Sequence, residues 1–273
     1  LDAIYWDRIR ESVKSIKIVS DDDIPWEFIL PKNLRAQDIS DSEFWCERFD
    51  IGHWFVGKAP NEKIQVDKLD MVKAISDSSS DSEEKTIKAL LPGYNIAFRP
   101  VDPIFDIVSA AFASSDRNRS IFHLICHGVN NPNDPNQSYI KLGNLHFSPD
   151  DLDECTTENS IIFLNGCETG ISGPGLSGEG GWPYKLIRDT KADLFVGTVV
   201  KVPGELASRF AIAFYRSLFP ENDFSRSCAE GSSPSNRKKS ILKAARDARN
   251  SIKPDPTFLS YKVYGSPIAQ IRC

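Results

Sequence analysis

No two of the six cysteines in this 273-residue chain stand at CxxC spacing. That absence argues against a zinc site built on paired thiolates and against the cysteine framework of a small disulfide scaffold. Cys46, Cys126, Cys155, Cys167, Cys228 and Cys273 instead read as reduced thiols of a cytoplasmic protein. No apolar run approaches the roughly 18–20 residues that span a bilayer, so no membrane partner is expected. The polar, mixed-charge opening LDAIYWDRIRES lacks the apolar core of a signal peptide. Positive charge is not in excess either. The net charge of −5 and pI near 5.5 argue against nucleic acid as a main partner. No acidic cluster has the spacing of a calcium loop, and no GK[ST] tripeptide follows a glycine-rich loop, which excludes a P-loop. No cofactor is expected.

What is present has the make-up of an ordinary globular chain, 40% hydrophobic and 26% charged, long enough to bury a substantial core. Two short apolar runs, Ile121–Cys126 and Ile161–Leu164, have the length and composition of buried strands. Each ends in a reactive side chain among small residues: His127-Gly128 after the first, Cys167-Glu168-Thr169-Gly170 after the second. Ligands of open parallel sheets bind beyond the strand C-termini, so neighbouring strands would deliver a histidine and a cysteine to one edge as a nucleophile–base pair. Thiolate is the attacking species, and His127 would take the Cys167 proton and return one to a leaving amine. The N–H groups of Gly128 and Cys167 are the expected oxyanion donors.

The other histidines rank lower. His123 reads as a packed core residue on the same strand face as His127, and Cys126 alternates to the opposite face. His53 and His146 have no cysteine or carboxylate at a telling distance in sequence. Glu168 reads as a surface acid or an orienting group, the surface reading being favoured. Gly173-Pro174-Gly175-Leu176-Ser177-Gly178 matches G-x-G-x-x-G literally, but it lies too far from the preceding strand to be a dinucleotide turn.

Along the chain, residues 1–20 read as a helix running into a strand at Ile16–Val19, and Ile24–Leu30 as an apolar turn plugging a core. Trp54–Val56 reads as a strand, and the polar, acidic 75–85 stretch as a surface loop or a join between two halves. Asn95–Phe98 reads as a strand and Ile104–Ala113 as an amphipathic helix. Gly170–Gly181 looks too glycine-rich for regular structure. A helix opens at Trp182-Pro183, Asp193–Val200 is a buried strand, and Leu206, Phe210, Phe214 and Leu218 mark a helix over 205–219 that Pro220 stops. Residues 221–235 read as a loop, 236–252 as a helix capped by Ser235, and 258–264 as a last strand. The alternation predicts an α/β fold with a mostly parallel central sheet and helices on both faces.

The sequence resembles the CHAT domain, a caspase-like peptidase domain often found beside TPR repeats. The resemblance covers nearly the whole chain, 1–273, as one domain. It is carried by Ile24-Pro25-Trp26-Glu27, HLICHG (123–128), FLNGCETG (163–170), GEGGWPYKLI (178–187), DLFVGTVVKVP (193–203), AFYRSLF (213–219) and SYKVYGSP (260–267). It implies the caspase–haemoglobinase three-layer fold and a cysteine endopeptidase with His127 as base and Cys167 as nucleophile. It implies a supporting half over 1–90 and a catalytic half over 91–273. Asn165, Glu168, Val200, Lys201 and Val202 are the pocket candidates. The chain departs from the family at Val200, where tryptophan is usual, and at Gly204, where an acid is common. Relatives that cut after Arg or Lys carry an acid two residues before the nucleophile; here Asn165 stands there. The expected partners are a protein substrate and regulatory regions, of TPR type, in a longer protein. Leu1 in place of an initiator Met points to such a longer chain. The alternative from a different class is a non-catalytic interaction module that uses the cleft only to bind. A cysteine amidase would want a G-x-C-x-G turn, which is missing.

Overall fold

In the computed structural model, residues 4–20, 24–31, 43–57, 61–113, 119–153, 155–175, 178–220, 239–266 and 268–272 are described. Eight strands form one central sheet: β1 (Ser15–Val19), β2 (Asp50–Trp54), β3 (Lys68–Lys73), β4 (Ala97–Val101), β5 (Ser120–Ile125), β6 (Ile161–Asn165), β7 (Leu194–Thr198) and β8 (Tyr261–Tyr264). Their spatial order is β1-β2-β8-β7-β6-β5-β3-β4. Every pairing is parallel except that of β8 with β7. Strands drawn from 1–90 and from the rest of the chain are therefore interleaved in one sheet.

The two apolar runs become β5 and β6, buried along their whole length. Alternation sorts their side chains between two cores. Ile121, Ile125, Ile161 and Phe163 face the layer containing α1 (Ser78–Leu90), α3 (Gly204–Leu218) and α4 (Ile241–Ile252). Phe122, Leu124, Ile162 and Leu164 face α2 (Phe105–Ala113) and the Trp182–Ile187 segment. A sheet buried on both faces by helices is what near-continuous apolar strands require. The three-layer α/β architecture is as the sequence predicts.

Several boundaries differ. The 75–85 stretch is not a join: Asp77 caps α1, its Oδ1 accepting the Ser80 N–H at 2.8 Å while Ser80 Oγ accepts the Asp77 N–H at 3.0 Å. A polar, acidic first turn suits the positive end of a helix, and Ser80, Glu83, Ile87 and Leu90 bury one face at helical spacing. Part of the glycine-rich segment is regular after all, Gly173–Gly175 pairing antiparallel with Gly178–Gly180. The last helix starts at Ile241 with Ser240 as its cap, since Ser240 Oγ accepts the Lys243 N–H; Ser235 and the 221–235 loop lie outside the described residues. The strand expected at Asn95–Phe98 sits at Ala97–Val101, that at Trp54–Val56 at Asp50–Trp54, and Pro256–Leu259 forms a helical turn before β8. Among the described residues no helix is long and apolar enough to cross a membrane.

His53 does have a carboxylate partner, contrary to expectation. Its Nε2 lies 2.8 Å from Glu27 Oε1, both side chains being buried. Glu27 comes from the Ile24–Leu30 turn, so that turn is held by an ionic contact as well as by apolar packing. Arg249 adds a longer contact to Glu27 at 3.9 Å.

Candidate active site

β5 and β6 run side by side with Ile125 opposite Asn165. His127 and Cys167 thus each stand two residues beyond an in-register pair, at the same edge of the sheet. Both line one cavity of about 170 Å³. His127 is exposed, and Cys167 is a half-buried free thiol. The turns that carry them are locked together by close backbone approach. A Cβ on Gly128 would come 2.1 Å from the Cys167 carbonyl oxygen, and one on Gly166 would come 3.0 Å from the Cys126 oxygen and sulfur. Only glycine fits at Gly128 without moving the backbone.

The nucleophile turn is further held by β7. Thr198 Oγ1 donates to the Gly166 carbonyl at 2.7 Å and accepts the Glu168 N–H at 2.8 Å, so one hydroxyl ties both sides of Cys167. Thr169 Oγ1 lies 3.0 Å from the Leu164 and Gly166 carbonyls. Glu168 takes a left-handed conformation, φ +59°, which turns the chain sharply after Cys167. The Cys167 thiol itself meets Val202: Sγ is 3.4 Å from the Val202 N–H donor and 3.6 Å from its carbonyl. Among the described residues no hydrogen bond joins Cys167 to His127. Catalytic hydrogen bonds often tighten only once substrate is present.

Of the pocket candidates, Asn165 and Val202 line this cavity, whereas Glu168, Val200 and Lys201 do not. A polar network absent from the sequence-based expectations adjoins this cavity through Glu83 and Asn165. Glu83, reaching in from α1, is 1% exposed and lines the cavity floor. Its Oε1 lies 2.8 Å from His123 Nε2 and accepts Asn165 Nδ2–H at 2.8 Å. Tyr215 Oη is 3.1 Å from His123 Nδ1, and the Tyr261 hydroxyl donates to Asn165 Oδ1 at 2.7 Å. Burial raises both tyrosines well above their usual range, so both are neutral donors. The His123 ring thus bridges the Glu83 carboxyl and the Tyr215 hydroxyl. His123 is the packed residue expected, with a buried acid as its partner. The helical spacing of residues 80, 83, 87 and 90 was the available signal for Glu83. Cys126 is buried, and burial drives its thiol far up, the charge of Cys167 adding to the rise.

No protein-family model matches the sequence, and no curated protein matches it. Solved structures do resemble the fold. The Arg-specific cysteine proteinase gingipain R is 13% identical, with 99% of this chain and 68% of that chain covered at a TM-score of 0.62. The Saccharomyces cerevisiae separase in complex with securin is 12% identical over 91% of this chain, TM-score 0.56. This chain spans 15% of the separase chain. Caspase-1 from Spodoptera frugiperda matches more distantly, TM-score 0.44 over 79% of this chain. The fold is the caspase–haemoglobinase-like fold of cysteine peptidases.

Proposed function

We propose that this chain is a cysteine endopeptidase of the CHAT type, with Cys167 as nucleophile and His127 as general base and acid. One observation carries the reading: His127 and Cys167 emerge from adjacent parallel strands at the same register and line one cavity. His127 takes the thiol proton as Cys167 Sγ attacks the scissile carbonyl. The oxyanion is received by the N–H groups of Gly128 and Cys167, each such donor being worth about 2.7–4 kcal/mol in other enzymes. Collapse of the tetrahedral adduct breaks the C–N bond, and His127 returns its proton to the departing amine. Water then hydrolyses the thioester with His127 again as base. The substrate in this reading is a protein, and other regions of a longer protein, of TPR type, restrain the activity.

A second reading, a caspase-like module that binds without cutting, is favoured by the thiol's hydrogen bonds to Val202 instead of His127. The test is N-terminomics on lysate treated with the intact protein or with Cys167→Ala. New N-termini that depend on Cys167 support the peptidase. No difference between the two, together with no preferential labelling of Cys167 by a thiol-reactive peptide electrophile, selects the binding module.

A further inference from the structure

We propose that Glu83 is the specificity-determining residue of this site, and that the cavity beneath Cys167 selects a lysine or arginine side chain on the residue preceding the scissile bond. The proposal rests on the peptidase reading for its cleavage step, but its binding step stands on the cavity alone.

The argument is one of charge and hydrogen-bond accounting. Both hydrogen bonds made by Glu83 end on Oε1; Oε2 accepts none among the described residues. Its two side-chain partners are the Asn165 amide and the His123 ring, whose other nitrogen faces the Tyr215 hydroxyl. No lysine or arginine lines the cavity, and Glu83 makes no ion pair with either among the described residues. A buried carboxyl oxygen without a donor is costly, and a ligand cation entering the cavity would supply one. The remaining wall suits the rest of such a side chain. Ile75, Val202 and Ala207 offer apolar contact to a methylene stem, and Asp77 adds a second acid from the N-cap of α1. Asn165 leaves the position two residues before the nucleophile without an acid. Asn165 instead hands its amide to Glu83, so the acid reaches the same floor from a different element.

The test compares two peptide amides ending in arginine or in citrulline, its neutral isostere, by calorimetry on Cys167→Ala. The arginine peptide should bind at least about tenfold tighter, the effect of one charge-assisted hydrogen bond. Glu83→Gln in the same background should bring the two affinities together. Equal binding of the two peptides to Cys167→Ala overturns the proposal, as does a preference that survives Glu83→Gln. Because the first comparison leaves Glu83 untouched, it tests the basic preference even if Glu83→Gln does not fold; a preference that survives Asp77→Asn then assigns it to Glu83, the other acid lining the cavity, and its loss there overturns the assignment. Cleavage of an arginine-containing reporter by the intact protein is measured separately. Its failure alongside a clear arginine preference would count against the peptidase and leave the pocket assignment standing.

Discussion

Replacing Thr198 with valine keeps its shape and removes a hydroxyl that serves both sides of the nucleophile. The residue is 1% exposed, so no solvent is available to substitute. Two bonds are lost, to the Gly166 carbonyl and from the Glu168 N–H. Each main-chain group keeps a poorer alternative: Thr169 Oγ1 lies 3.0 Å from the Gly166 carbonyl, and the Val200 carbonyl lies 3.4 Å from the Glu168 nitrogen. Two full penalties of about 1–3 kcal/mol each are therefore too many, and we expect about 2 kcal/mol in all. For a chain of this size that lowers Tm by about 4–8 °C. Thr198→Ser keeps both bonds and loses one methyl, which costs about 1 kcal/mol and half the shift. Scanning fluorimetry should rank wild type above serine and serine above valine. Peptide-electrophile labelling of Cys167 should fall in the valine variant and hold in the serine variant. A valine variant melting within about 1 °C of wild type, or above serine, would refute the idea that this hydroxyl anchors the nucleophile turn.

Burial raises the Glu27 carboxyl, but the charge and hydrogen bond of His53, with Arg249 and Lys262 behind, outweigh it and hold the pKa at about 2. A depressed carboxyl stabilises the fold above its unfolded value near 4.5 and loses that contribution as pH falls toward 2, on the order of 3 kcal/mol. The stability gap between wild type and Glu27→Gln, followed by denaturant titration, should therefore be widest above pH 4.5 and shrink below it; a gap unchanged down to pH 2.5 contradicts the assignment. Gly128→Ala places a methyl 2.1 Å from a backbone oxygen that has nowhere to go. It should cost about 1–3 kcal/mol in melting experiments and sharply reduce Cys167 labelling, whereas normal labelling would mean the two turns are not locked. Asp77→Ala removes the cap of α1 and should lower stability by about 1 kcal/mol, read as a Tm drop of about 2–4 °C.

The parts legible in the sequence share one physical trait: a local pattern that a single tertiary arrangement satisfies. β5 and β6 announce themselves because strands covered by helices on both faces must be apolar throughout. Their termini announce the candidate dyad because chemistry in parallel sheets gathers at that edge. The four-residue beat of Leu206, Phe210, Phe214 and Leu218 marks α3 for the same reason. What stayed hidden was polar and non-local. In an acidic run such as SDSEEK, only helical phase distinguishes Glu83, which is buried, from Glu84, which is only half-buried. The Glu27–His53 contact joins a turn to a strand that the sequence places 26 residues apart. Thr198 looks like any β-branched residue of a buried strand, and only the geometry of the neighbouring turn reveals its hydroxyl as a tether. β3 carries no clear strand signal because Asp70 interrupts its apolar run; Arg99 on the neighbouring β4 meets that acid at 2.6 Å.

These polar contacts divide the labour around Cys167 between two kinds of neighbour. Thr198, Thr169 and the Gly128 contact fix the main chain on either side of the sulfur, and all of them lie at the ends of the three central strands β5, β6 and β7. The contacts of the sulfur itself run to Val202, in the segment between β7 and α3, which belongs to no regular element. The backbone of the nucleophile is thus set by the sheet and its side chain by a loop. Loop contacts open at lower free energy than sheet contacts. A displacement of residues 201–203 would free the thiol while leaving the Gly128–Cys167 approach in place. A Val202→Gly variant, which loosens this segment, should therefore raise the rate at which peptide electrophiles modify Cys167 without a matching loss of the Thr198-dependent stability; an unchanged rate would refute the idea that the segment holds the thiol.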